Sequence, residues 1–114
     1  MADERTALAD RVRAALSTTP STREIRMFGG LSFMVNERMV VAAQTSGLLV
    51  RIDPARNAEL TALPGAKQAE MGSGRSMGPG WIRVDRDAIA TGDQLSFWID
   101  VAMEHRAASA HRVR

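Results

Sequence analysis

The stretch with the most chemical promise is Gly74-Arg75-Ser76-Met77-Gly78, which has the G-x-S-x-G spacing of a nucleophile elbow, with Asp85 and His105 following in the order of a hydrolase triad. An elbow activates its serine by holding it on a tight strand-to-helix turn, hydroxyl outward and beside a base. Here Pro79-Gly80 and the alternating run Trp81-Ile82-Arg83-Val84 come next, so a strand rather than a helix is expected after Ser76. No enzymatic activity is expected. The same glycines do not form a phosphate cradle: G-x-x-x-x-G-K-[ST] is absent, and Gly72-x-Gly74-x-x-Met77 lacks the third glycine of a dinucleotide fingerprint. Their expected use is to let the backbone turn through positive φ. His105 and His111 stand near the end of a chain without cysteine and without a neighbouring carboxylate cluster, so neither a metal site nor a cofactor is expected. Asp85 and Asp87 are flanked by Arg83 and Arg86, which makes a solvated charge patch the simpler expectation than a catalytic carboxylate pair.

Binding is the chemistry that remains. Arg26 and Arg51 each interrupt an apolar strand-like run and are expected to project together from the face opposite the core. A guanidinium there either pairs with Asp or Glu or meets an anionic partner, and the sequence leaves both roles open. Trp98 repeats with Leu95, Ile99, Ala102 and Met103 at helical spacing, as a core residue does, whereas Trp81 follows the glycine-rich loop, where a half-exposed indole suits recognition. The candidate partner-binding set is Arg26, Phe28, Gly29, Gly30, Arg51, Gly74, Arg75, Met77, Gly80 and Trp81.

The elements that must position these residues are legible from periodicity. Ala7, Leu8, Val12, Ala15 and Leu16 form one stripe of a helix over residues 2–17, after which Ser17-Thr18-Thr19-Pro20-Ser21 reads as a loop. From Glu24 to Asp53 the period is two, with turn signals at Gly29-Gly30, Asn36-Glu37 and Ser46-Gly47, so four antiparallel strands are expected. A two-residue Gly29-Gly30 turn would set Arg26 opposite Phe33; a three-residue loop, Phe28-Gly29-Gly30, instead aligns Ile25 and Met27 with Leu31, Phe33 and Val35 and leaves Phe28 at an exposed turn. Asp53-Pro54 caps a short second helix that Pro64-Gly65 stops. Lys67 to Met71 and Trp81 to Val84 read as strands, and Thr91-Gly92-Asp93-Gln94 is the capping box of a third helix.

A chain of 114 residues, 45% hydrophobic and without internal repeats, is the size of one domain with one core. The absence of cysteine excludes a disulfide framework. The start Met1-Ala2-Asp3-Glu4-Arg5 lacks a signal peptide's apolar stretch, and no run has the length of a membrane span, so a cytoplasmic location is expected. The pI near 10.4 suggests nucleic acid, but the surplus is local. Residues 104–114 carry Arg106, Arg112 and Arg114 against Glu104; removing these from totals of 15 basic and 13 acidic residues leaves 12 of each on residues 1–103. A domain over 1–106 with a basic, flexible tail over 107–114 is expected.

Three blocks then stand out: Arg26-Met27-Phe28-Gly29-Gly30-Leu31-Ser32-Phe33-Met34-Val35, Leu48-Leu49-Val50-Arg51-Ile52, and Gly74-Arg75-Ser76-Met77 before Gly80-Trp81-Ile82-Arg83-Val84. In order and spacing, from about Thr22 to about Met103, they resemble the N-terminal domain of the TfoX (Sxy) family of bacterial competence regulators. The resemblance implies an α+β fold of antiparallel sheet and flanking helices in the order α-β-β-β-α-β-β-α, similar to the secretion-chaperone-like fold, in which one of the four early strands merges with its neighbour. It also implies a role in competence or related transcriptional regulation. Regulators of the family carry a second, C-terminal domain, so this chain is expected to be a stand-alone member. The reading that follows is a non-catalytic regulatory or adaptor domain that binds a protein partner, or a second copy of itself as a homodimer, through an exposed sheet edge and the glycine-rich loop. The alternative is a nucleic-acid-binding domain using Arg26, Arg51, Arg75 and the Arg-rich tail, for which one lysine, three Phe and no Tyr are a thin inventory.

Overall fold

The structure, a computed structural model, describes residues 4–19, 21–27, 30–45, 47–71 and 74–112. Helix α1 (Glu4–Ala15) is followed by β1 (Thr22–Met27), β2 (Gly30–Val35), β3 (Arg38–Ala43) and β4 (Gly47–Arg51). A 3-10 turn leads into α2 (Asn57–Thr61), then β5 (Ala66–Gln68), β6 (Glu70–Met71), β7 (Arg75–Ser76) and β8 (Trp81–Asp85), and a second 3-10 turn leads into α3 (Gly92–Arg112). Six strands form one antiparallel sheet in the order β1-β2-β3-β4-β8-β5, and β6-β7 form a separate small hairpin. This is the α+β class with flanking helices that the resemblance implies. The four early strands remain separate, as their periodicity indicates.

Local chemistry explains the boundaries. Asp53 accepts the Ala55 N–H at 3.0 Å and opens the turn before α2. At α3 the capping box is reciprocal: the Thr91 hydroxyl accepts from the Gln94 N–H at 3.1 Å, and the Gln94 side chain accepts from the Thr91 N–H at 2.9 Å. Asn36 and Glu37 join β2 to β3 with φ of 52° and 67°, a pair of left-handed residues as a twisted two-residue hairpin requires. Glu37 is an unusual residue for that conformation, and its carboxylate is held by the Arg23 guanidinium at 2.9 Å. Helix α3 runs through Arg112, into the stretch expected to be a tail.

The core lies on one side of the sheet. Phe33, Val41, Leu48, Val50, Ile82 and Val84 point to the same face and pack against Leu8 and Val12 of α1, Leu16 just after it, and Leu95, Trp98, Ile99 and Ala102 of α3. In α1 it is Ala9 that joins the buried stripe, while Ala7 and Ala15 are exposed. Arg11 ties the two helical regions together by donating to the Ile89 carbonyl at 2.7 Å, just ahead of α3.

The β1–β2 register differs from the one expected. Met27 pairs with Gly30, Arg26 with Leu31, Ile25 with Ser32, Glu24 with Phe33 and Thr22 with Val35. The connection is therefore two residues, positions 28 and 29, and Gly30 belongs to β2 rather than to the turn. Phe28 and Gly29 themselves lie outside the described residues. Glu24 and Arg26 share the helix-side face, which apolar patterning alone would forbid. They are tolerated because β1 is an edge strand, where the helix layer ends and both side chains remain exposed. Arg13 of α1 reaches Glu24 at 2.6 and 2.8 Å, and this pairing holds the Glu24 carboxyl below its ordinary value of 4.5. Because the folded value is lowered, the pair stabilises the fold at neutral pH and that contribution is lost as pH falls through the lowered value. Thermal melts of the wild type and Glu24→Gln should differ slightly at pH 7 and converge as the pH is lowered below 4.5; a gap that persists in acid would contradict the assignment.

Candidate functional site

The sheet face turned away from the helices carries its own small apolar cluster. Met39, Ala42, Leu49 and Ala69 are buried there, and Met34, Met77 and Trp81 pack against them while remaining partly exposed. Strand pairing sets Arg51 of β4 directly opposite Trp81 of β8, and the guanidinium carbon lies 5.7 Å from the centre of the indole ring. That is cation–π distance. The contact orients the indole and keeps a positive charge at the edge of an apolar patch.

The glycine-rich segment rises from this patch as the β6–β7 hairpin, with Glu70 opposite Ser76 and Met71 opposite Arg75. Its base is anchored. The Met77 N–H donates to the Ala69 carbonyl at 2.9 Å, Gln68 Nε2 donates to the Gly78 carbonyl at 2.7 Å, and Asn57 Nδ2 donates to the Pro79 carbonyl at 3.0 Å. Near its tip Gly74, Arg75 and Ser76 are exposed. Gly74 and Gly78 have φ of 84° and 98°, so both need glycine for the backbone path rather than for a ligand. The Ser76 hydroxyl accepts the Gly78 N–H at 3.0 Å and sits on a two-residue strand that no helix follows. The elbow geometry is absent from this motif.

Arg51, Met77, Gly80 and Trp81 are thus brought together, with Gly74 and Arg75 on the hairpin above them. Arg26 and Gly30 are not part of this arrangement. Arg26 lies on the opposite face of the sheet, three strands from Arg51, roughly 14 Å at the usual strand spacing. The expectation that the two guanidiniums project together is corrected by the β1 register. Gly30 precedes Leu31, the partner of Ala43, at the other end of the strands from Trp81, and a Cβ there would lie 2.1 Å from the Ala43 carbonyl oxygen. Close backbone approach accounts for that glycine.

Several basic side chains near the sheet are matched internally. Arg23 pairs with Glu37, Arg56 with Glu59 at 3.2 Å and Lys67 with Asp85 at 3.2 Å. No group of three or more side chains able to hold a metal occurs among the described residues. No helix among them is long and apolar enough to cross a membrane.

Sequence reasoning missed an open groove of about 690 Å³ at the start of α3, lined by Leu63, Pro64, Asp87, Asp93, Phe97 and Trp98 among others. Phe97 is 45% exposed and meets Trp98 edge-to-face at 5.1 Å. An apolar floor with carboxylates at its rim suits an apolar side chain next to a cation. The sequence carries one signal, since Phe97 falls outside the 95-98-99-102 stripe, where a large aromatic has no place in the core.

The domain is thus an antiparallel sheet screened by helices on one side and carrying an anchored hairpin on the other. The family model described as TfoX N-terminal domain matches residues 10–106, and the chain belongs to that family. No curated protein and no solved structure matches it.

Proposed function

We propose that this protein is a non-catalytic cytoplasmic adaptor that acts in transcriptional regulation by binding another protein through the helix-free face of its sheet. The observation that carries this reading is the Arg51–Trp81 stack set among Met34 and Met77 below an exposed arginine-bearing hairpin. Tryptophan, methionine and arginine are the residues enriched where proteins meet, and an indole braced by a guanidinium loses little entropy on binding. The family membership agrees with a regulatory role. Nucleic acid is the weaker reading, because Arg26 and Arg51 occupy opposite faces and several other cations are matched by carboxylates, which splits the basic set that phosphate binding would use. The test is affinity capture with the purified chain as bait, with and without nuclease. Retained protein that survives nuclease supports the reading; material that disappears with nuclease supports nucleic acid instead.

A further inference from the structure

The outer side of β1 has no pairing element among the described residues. The Ser21 carbonyl accepts the Asn36 N–H at 3.0 Å, so Ser21 faces β2. Residues alternate along an antiparallel ladder, and Arg23, Ile25 and Met27 therefore also direct their backbone groups at β2, across from Met34, Ser32 and Gly30. The N–H and C=O groups of Thr22, Glu24 and Arg26 then point outward, a ready template for another strand. The opposite edge, β5, is only three residues long, whereas β1 has six.

The side chains select the strand that fits. Glu24 and Arg26 are exposed, lie on the same face and flank Ile25. A two-fold antiparallel contact centred on Glu24 would set glutamate against glutamate, and one centred on Arg26 would set arginine against arginine, both unfavourable. Centred on Ile25, the contact sets Glu24 against the partner's Arg26 and Arg26 against the partner's Glu24. In that register the outward N–H and C=O groups of both residues are also in position to pair, and Ile25 meets the partner's Ile25 on the other face.

We propose that the chain self-associates through this β1–β1 pairing about Ile25, joining two sheets into one continuous antiparallel sheet with the helices of both copies on one side. Helix α1 packs over β3 and β2, set back from the edge, so it leaves the approach open. Its Arg13 and the partner's Arg26 bracket the Glu24 carboxylate from two sides. A contact of a few backbone pairs falls below the ~1,200 Å² typical of stable complexes, so the dimer is weak and its population follows concentration. This interface is separate from the Trp81 patch and stands independently of the function proposed for that patch.

Sedimentation equilibrium of the full chain from about 1 μM to 1 mM, the range suited to so small a contact, tests the pairing by charge exchange. The wild type should pass from monomer to dimer across the range. Glu24→Lys and Arg26→Glu, each with the wild-type circular dichroism spectrum, should each associate at least tenfold more weakly. Mixed in equal amounts they should recover the dimer, because every introduced charge then faces its opposite. Arg26→Pro, which removes one outward N–H and leaves the ladder to β2 whole, should also be monomeric. A wild type monomeric throughout, single variants that dimerise normally, or a mixture that stays monomeric would each overturn the proposal. So would a dimer abolished by Trp81→Ala and indifferent to the charge changes.

Discussion

Trp98→Ala should lower the unfolding free energy by about 3–5 kcal/mol, the range for truncating a buried large aromatic. Trp98 is 3% exposed, sits on the buried stripe of α3 and belongs to the main core cluster. Truncation removes its own burial and leaves a space that the neighbouring strands, fixed by their ladders, cannot close. Trp81→Ala should cost distinctly less, because Trp81 is only half-buried and borders the smaller cluster on the other face. Urea denaturation of both variants reads the ordering. Equal losses would mean that the helix-free face is as much a structural core as the helix-covered one, and that Trp81 is there for packing.

Gly30→Ala should be far more damaging than Gly74→Ala. The new methyl would lie 2.1 Å from the Ala43 carbonyl oxygen and 2.9 Å from its carbon, atoms of the adjacent strand that no rotamer change can move. Strands β2 and β3 must part, at a cost of about 1–3 kcal/mol or more. Gly74→Ala meets nothing within 4 Å and carries only the strain of its φ of 84°, about 1–2 kcal/mol. Thermal melts should rank Gly30→Ala below Gly74→Ala; the reverse order would mean that the β2–β3 contact yields more easily than its backbone geometry indicates.

What the sequence made legible was governed by local chemistry. The reciprocal Thr91–Gln94 cap, the Asp53 cap, the Asn36-Glu37 turn and the stripe through Leu95, Trp98 and Ile99 each depend on residues close in the chain, and each appears where its residues predict. The β1–β2 register was not legible, because the rule that opposed residues share one polarity assumes a strand covered along its whole width. At an edge, Glu24 and Arg26 occupy the helix-side face without being buried, and Arg13 comes from another element to meet Glu24. The misplacement of Arg26 followed from that register. Arg51 and Trp81 were both singled out, yet their stacking depends on pairing β4 with β8, thirty residues apart in the chain, which no local pattern specifies. The groove beside Phe97 likewise draws on three separate segments.

The most direct test of partner binding at the helix-free face is quantitative capture from nuclease-treated lysate with wild type, Arg75→Ala and Trp81→Ala as parallel baits. Both variants remove exposed or half-exposed groups and should remain folded. The account predicts a protein partner retained by the wild type and reduced at least tenfold, about 1.4 kcal/mol of binding, on each variant. Equal retention on all three baits, with Arg75→Ala and Trp81→Ala indistinguishable from wild type, would contradict it.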